Sequence, residues 1–106
     1  MIDKNTIAYK KRKYGNNFPE ITTKWSEHLG FKLSEKDVCM MMALMKQTRI
    51  ENIKNRLLEI KRIENFNTQN DLLVEIVELN KALEDSIKDK DNYVWIGNNY
   101  EEYLSL

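Results

Sequence analysis

The sequence predicts an all-α fold: a small bundle of about four helices, with a long central helix and an aromatic C-terminal tail. Apolar residues recur at helical spacing along most of the chain, and capping residues stand where helices would begin. The 106 residues suffice for one hydrophobic core and not for two. We therefore expect a single domain, residues 1–106, with a helical core over 1–90 and the tail over 91–106.

The first two helices are short. One is predicted over residues 4–13, where apolar residues are sparse, and it ends at Tyr14-Gly15. The next begins after Asn17, an N-cap residue with Glu20 in the third helical position of a capping box. Gly30 ends this helix, since glycine readily adopts the left-handed conformation that closes helices. Its apolar side chains form one stripe: Phe18, Ile21, Trp25 and Leu29.

The long central helix begins at Ser34, where Asp37 completes a capping box and Leu33 is placed to pack on Val38. Residues 38–45 are apolar on all sides of a helix, which predicts the buried centre of the fold. Beyond them a heptad-like seam recurs at Ile50, Ile53, Leu57 and Ile60.

The length of this helix raises two possibilities. A straight helix over 35–64 would be about 45 Å long, whereas a compact domain of this size has a radius of gyration of about 13 Å. The helix therefore either breaks near Asn52 and Asn55 or projects and pairs with another chain, and we favour projection.

The last helix is predicted to begin at a box-like pair, Thr68 and Asp71, after a turn at Phe66-Asn67. Its apolar stripe runs to about Lys88 through Leu72, Ile76, Leu79, Leu83 and Ile87. In the tail, Val94 and Ile96 predict a short extended piece, followed by a turn at residues 97–99 and one closing helical turn. Four of the ten aromatic residues lie in the last fourteen positions: Tyr93, Trp95, Tyr100 and Tyr103. They either cover the helices or form an exposed arm.

Composition excludes several classes of protein. A net charge of zero disfavours a general nucleic-acid binder, because such proteins usually carry a basic surplus. Three scattered glycines exclude a P-loop or dinucleotide fingerprint, and one cysteine with one histidine excludes a zinc finger and most metal-hydrolase sites. The longest apolar run, 38–45, is shorter than the roughly 20 residues of a membrane helix. We expect a cytoplasmic protein that does not enter the membrane.

The zero net charge conceals two oppositely charged halves. Residues 1–62 carry 14 basic and 7 acidic side chains, whereas residues 63–106 carry 3 basic and 10 acidic ones. Such halves attract each other, either within one chain or between neighbouring chains. We expect a homo-oligomer, with a single dipolar monomer as the alternative.

Few side chains could carry catalysis. Cys39 and His28 could form a nucleophile–base pair, but a thiol in so apolar a run is more often inert packing. A basic cluster flanked by tyrosines, Lys10, Lys11, Arg12 and Lys13, could follow a nucleic-acid backbone, although such clusters are commonly just solvated.

Charged helical faces offer a candidate ligand site. Lys46 and Arg49 share one face, and Asp71, Glu75 and Glu78 share a face of the later helix. Where the two faces meet, they form either an ion-pair network or a phosphate pocket beside a metal-binding carboxylate set. Trp25 is either a core residue or a platform on which a ligand stacks.

Residues 14–49 resemble a family of small bacteriophage and prophage proteins. The shared pattern comprises Tyr14-Gly15, Asn17-Phe18, Ile21, Trp25, Leu29-Gly30, Asp37-Val38, Met41-Met42, Lys46 and Arg49. The family continues with two carboxylates four residues apart, and Asp71 with Glu75 are the candidates here. The resemblance implies a phage origin and an all-helical fold, and it carries no activity.

Residues 72–83 are similar to the first metal-binding helix of MazG-like nucleoside triphosphate pyrophosphohydrolases. In those enzymes an E-x-x-E motif presents two carboxylates to Mg²⁺, and the matching residues are Glu75 and Glu78. A second E-x-x-D helix completes their site, and Glu101 with Glu102 stand near its place without the aspartate.

The resemblance to the phage family implies an accessory protein that binds a host protein or a nucleotide-type ligand without catalysis. Its candidate ligand-binding residues are Trp25, Lys46, Arg49, Asp71 and Glu75. The alternatives are a Mg²⁺-dependent MazG-like hydrolase using Glu75 and Glu78, and a nucleic-acid binder using residues 10–13. No cofactor is expected outside the hydrolase alternative.

Overall fold

The fold is all-α, as the sequence predicts. A computed structural model describes residues 2–106. Within them lie five α-helices, a 3₁₀ turn at Phe66–Thr68 and no strand. None of the helices in this range is both long and apolar enough to cross a bilayer. The helices are α1 (Lys4–Tyr14), α2 (Phe18–Leu29), α3 (Glu35–Lys61), α4 (Asn70–Asn98) and α5 (Tyr100–Leu104).

Two long helices form an antiparallel hairpin that extends well beyond the rest of the molecule. Helix α3 has 27 residues and α4 has 29, and neither breaks. The radius of gyration is 17.4 Å, with extents of 51 × 34 × 20 Å, against about 13 Å for a compact domain. Helix α3 therefore projects without a break, but α4 of the same chain covers its apolar seam, where the prediction had placed another chain. We call residues 46–86 the arm, and the remaining helical part the head.

Local signals at the start of α3 act as predicted. The side chain of Ser34 accepts a hydrogen bond from the Asp37 amide at 3.1 Å, and Asp37 Oδ2 accepts one from the Ser34 amide at 2.9 Å. Gly30 ends α2 in the left-handed conformation, with φ 76° and ψ 15°. These short-range interactions orient α2 against α3.

Two other helix starts differ from the prediction. Asn17 precedes α2 without a side-chain cap, and it is Asn16 Oδ1 that accepts the Phe18 amide at 3.3 Å. Helix α4 begins at Asn70 without a side-chain cap. The hydroxyl of Thr68 donates instead to the Asn65 carbonyl at 2.9 Å, because the 3₁₀ turn places it there.

The apolar run 38–45 is buried only in part. Val38, Cys39 and Ala43 are buried, whereas Leu44 is 67% exposed and Met45 is 63% exposed. The expectation of burial on all sides was wrong, because no other helix covers the side of α3 opposite α4 at this level. The buried cluster of the head consists of Ile7, Phe18, Leu33, Val38, Cys39, Ile96 and Tyr103.

The prediction of an extended piece near Val94 and Ile96 was also wrong, because α4 stays helical to Asn98. Gly97 lies inside the helix, where a Cβ would approach Cys39 Cβ and Met40 Cε to 3.0 Å each. This close packing outweighs the β propensity of the local sequence. The closing helical turn is confirmed as α5.

The aromatic tail packs into the head. The ring of Phe18 lies edge-on to Tyr93, Tyr100 and Tyr103, with centroid distances of 6.4, 6.2 and 5.7 Å. Tyr103 is buried. Such edge-to-face contacts stabilise beyond the area they bury. The tail therefore joins α2 to the end of α4 and forms part of the same core.

Candidate protein-binding surface

An apolar concavity lies on the outer side of the head, between α2 and α3. It has a volume of about 410 Å³. Its residues recur at three- and four-residue spacing, so they share one face of each helix. We call this surface the apolar patch: Trp25, His28, Leu29, Met41, Leu44 and Met45.

The patch is built from residues that the core leaves partly uncovered. Trp25 and Met41 are half-buried against the head cluster and also line the patch. Leu44 and Met45 stand further out and are about two thirds exposed. A contiguous apolar surface of this kind commonly marks a protein interaction site. Flexible methionines at such surfaces adapt to the shape of a partner. Trp25 thus serves both the core and an open surface.

The four candidate charged ligand residues do not meet. Lys46 Nζ lies 3.4 Å from Asp89 Oδ2 at the base of the arm. Asp89 and Glu75 are fourteen residues apart in α4, which is about 21 Å at 1.5 Å per residue. Asp71 is exposed just over one further turn along the arm. The predicted phosphate pocket beside a carboxylate set is therefore not assembled within one chain.

Glu75 is held by an arginine that the sequence analysis did not single out. Arg56 Nε lies 2.6 Å from Glu75 Oε2, and Nη2 lies 2.9 Å from Oε1. The hydrogen bonds from the guanidinium lower the pKa of the Glu75 carboxyl and raise the pKa of Arg56. Glu75 is thus held in an ion pair by Arg56, and not by Lys46 or Arg49. Because Arg56 and Glu75 are nineteen residues apart, only the register of the hairpin reveals the pair.

Glu78, the other candidate metal ligand, points elsewhere. It lines a groove of about 560 Å³ that also contains Lys46, Arg49, Lys81, Asp85 and Asp89. No group of three or more histidine, cysteine, aspartate or glutamate side chains within residues 2–106 is arranged to hold a metal ion. Any Mg²⁺ binding by Glu75 would compete with Arg56 for both carboxylate oxygens.

The basic cluster of α1 is partly used inside the fold. Lys10 Nζ lies 3.5 Å from Asp89 Oδ1. Lys11 Nζ donates to the carbonyls of Leu104 at 2.5 Å and Leu106 at 3.2 Å. Arg12 and Lys13 remain exposed. Two of the four cations therefore attach α1 to the C-terminal half of the chain.

The opposite charges of the two halves attract within one molecule. Four ion pairs connect residues 1–62 to residues 63–106: Lys4–Glu102, Lys10–Asp89, Lys46–Asp89 and Arg56–Glu75. This intramolecular pairing was one of the two outcomes expected from the charge layout. It accounts for part of the dipole without a second copy.

Cys39 and His28 are on different helices, α3 and α2, and have different surroundings. Cys39 is fully buried beside Gly97 of α4, whereas His28 is exposed and lines the apolar patch. Burial raises the pKa of the Cys39 thiol to about 11. A buried thiol with a raised pKa is a poor nucleophile at neutral pH. The arrangement is that of a packing residue and a surface residue.

Comparisons with protein-family models, with curated proteins and with solved structures found no match for this chain. The candidate surface therefore depends on geometry alone. Of its six residues, the sequence analysis had singled out only Trp25 as a ligand-binding candidate. Periodicity could have indicated the rest, because Leu44 lies far around α3 from the seam that includes Ile50 and Ile53.

Proposed function

We propose that this chain is a non-catalytic accessory protein that binds another protein through the apolar patch. The observation that carries the proposal is the exposure of Leu44 and Met45 beside Trp25, Leu29 and Met41. When a partner covers apolar side chains that were exposed to water, the free energy of the system falls, which favours binding. The patch needs no metal, cofactor or ionised nucleophile to act.

The resemblance of residues 14–49 to small phage proteins supports an accessory role in a bacterial host. That stretch contains all six residues of the apolar patch, and Trp25, Leu29 and Met41 belong to the shared pattern. On this basis the partner is a protein of the host cell, and the phage origin stays a prediction from the resemblance.

A nucleotide ligand has less support than a protein partner. The groove lined by Lys46, Arg49 and Lys81 also contains three carboxylates, those of Glu78, Asp85 and Asp89. Three carboxylates match the three cations in number, so the groove has no surplus of positive charge to attract a phosphate group. Release of pyrophosphate from a nucleoside triphosphate that requires Mg²⁺ and is lost in Glu78→Gln would contradict the proposal and establish the hydrolase alternative.

Site-specific photocrosslinking tests the proposed function. A photoreactive phenylalanine analogue would replace Leu44 in one variant and Val74 in the other, because both side chains are exposed, at 67% and 56%, and Val74 lies outside the apolar patch. Each variant would be expressed in bacterial cells and irradiated, and its adducts would be compared. We expect one host protein to be crosslinked from position 44 and not from position 74, and to be lost when Met45→Glu is added.

Two results would contradict the proposal. One is the same set of adducts from both positions, which would indicate non-specific contact. The other is an adduct at position 44 that persists at full yield with Met45→Glu. Direct binding of the identified protein to the purified chain completes the test.

A further inference from the structure

The apolar patch continues along α3 into a more polar groove. Met45 lines both surfaces, and beyond it the groove is about 460 Å³ in volume. We call this second surface the polar groove: Met45, Thr48, Arg49, Asn52, Ile53, Arg56 and Leu79. Met41, Met45, Arg49, Asn52 and Arg56 follow one another at three- and four-residue spacing. The two surfaces therefore form one strip along α3, about 22 Å from residue 41 to residue 56.

Arg49 supplies the uncompensated charge of this strip. It is exposed and forms no ion pair within residues 2–106. The charge of Arg56 is already balanced by Glu75 and by Glu59, whose Oε2 lies 3.3 Å from Nη1. Glu78 and Asp85 share the neighbouring groove with Arg49 but do not pair with it. An exposed arginine without an ion-pair partner is suited to a bidentate contact with a carboxylate of another protein.

We infer that the occupant of this strip is an amphipathic helix of the partner protein, with apolar anchors in the patch and a carboxylate on Arg49. This inference rests on the proposed function and names the chemistry of its partner. A strip of about 22 Å matches about four turns of helix, and a helix lying in a groove is a common mode of peptide recognition. Addition of a strand would need an exposed sheet edge, and residues 2–106 contain no strand.

Charge complementarity favours a different protein over a second copy of this chain. The residues that line the patch and the polar groove include two arginines and a histidine and no carboxylate. A two-fold contact of this strip with itself would therefore bring no carboxylate of the strip to Arg49.

Exposed apolar side chains also occur elsewhere, and Val74 and Val77 form such a stripe on α4. Docking this stripe onto the patch of another copy would leave one patch and one stripe open at the two ends of every pair. Because each copy would still offer one unused surface, such a contact leads to an open chain of copies and not to a closed dimer.

A displayed library of 16-residue amphipathic helices tests the inference. Peptides would be selected on the wild-type chain, with Leu44→Glu as the counter-target, and in parallel on Arg49→Glu. We expect wild-type selections to favour aspartate or glutamate over lysine or arginine about tenfold at positions one to two turns from the apolar anchors. Selections on Arg49→Glu should reverse that preference, and selections on Lys54→Gln, an exposed cation elsewhere on α3, should keep it.

The outcomes separate this inference from the proposed function. Peptides that depend on Leu44 but show the same charge preference on wild type and Arg49→Glu would overturn the inference and leave the proposed function standing. No peptide enriched on wild type over Leu44→Glu would overturn both. Native mass spectrometry of wild type and Leu44→Glu adds one more outcome. A dimer of wild type that is absent in Leu44→Glu would identify a second copy as the occupant and overturn the inference.

Discussion

Arg56 and Glu75 form a two-pronged ion pair across the arm, with Nε–Oε2 and Nη2–Oε1 distances of 2.6 and 2.9 Å. The pair joins α3 to α4 in the outer half of the arm, in the register that packing sets along both helices. It also occupies the carboxylate that two sequence hypotheses had assigned to a ligand or a metal. The apolar patch lies elsewhere, between α2 and α3 in the head.

The ion pair predicts that part of the protein's stability depends on pH through the ionisation of one carboxyl, that of Glu75. The hydrogen bonds from Arg56 lower the folded-state pKa of Glu75 below its ordinary value of 4.5. Its contribution to stability is therefore present above pH 4.5 and is lost as the pH falls through the lowered value. We expect the urea midpoint of Glu75→Gln to fall below that of wild type at pH 7, and the gap to narrow towards pH 3.

Glu78→Gln is the matched control, because Glu78 is an exposed glutamate on the same helix. Its urea midpoint should follow that of wild type across the same range. A gap for Glu75→Gln that stays constant from pH 7 to pH 3 would show that the ion pair does not stabilise the arm.

The close approach at Gly97 predicts an unusual response to alanine. In an ordinary helix, glycine to alanine stabilises by about 1 kcal/mol. Here a new Cβ would lie 3.0 Å from Cys39 Cβ, which sits on the α3 backbone and cannot move independently. We expect Gly97→Ala to destabilise by about 1–2 kcal/mol in urea unfolding. Asn98→Ala, exposed one residue later, should change stability little, and a more stable Gly97→Ala would refute the packing.

The burial of Cys39 predicts a thiol that reacts only after unfolding. The side chain is inaccessible, and burial raises the pKa of the thiol to about 11. At pH 8 we expect labelling by an aromatic disulfide reagent to be about a hundredfold slower than for free cysteine. Urea should restore the rate of free cysteine. Fast labelling of the folded protein would reopen the nucleophile–base hypothesis with His28.

The exposure of Leu44 predicts a surface substitution with little effect on folding. Changes at exposed sites away from caps and ion pairs usually alter stability by less than about 0.5 kcal/mol. We expect Leu44→Glu to unfold in urea as wild type does. Phe18→Ala, at the centre of the aromatic cluster, should cost about 3–5 kcal/mol. A comparable loss for Leu44→Glu would show that the patch is part of the core.

Signals within a few residues of each other were sufficient to predict the helices. Ser34 and Asp37 mark the start of α3, and Gly30 marks the end of α2, because these caps depend only on neighbouring backbone groups. The end of α4 could not be predicted in this way. Val94 and Ile96 favour strand locally, whereas α4 continues through them to Asn98 and packs closely against α3 at Gly97.

The candidate site was less predictable than the fold. A run of apolar residues indicates that a helix packs against other parts of the protein. It does not show which side of that helix remains exposed. Leu44 and Met45 are exposed because of the path that α2 takes across α3, which no short motif encodes. The Arg56–Glu75 pair likewise depends on the register of the arm, which is set by packing along both helices.

The most direct test of the proposed function is the affinity of the purified chain for the host protein crosslinked from position 44. Titration calorimetry would compare wild type, Leu44→Glu and Val74→Glu, which place the same charge at exposed apolar sites, and Val74 lines neither the apolar patch nor the polar groove. The account predicts a loss of at least about tenfold for Leu44→Glu and no change for Val74→Glu. Equal affinities for all three proteins would contradict binding through the apolar patch.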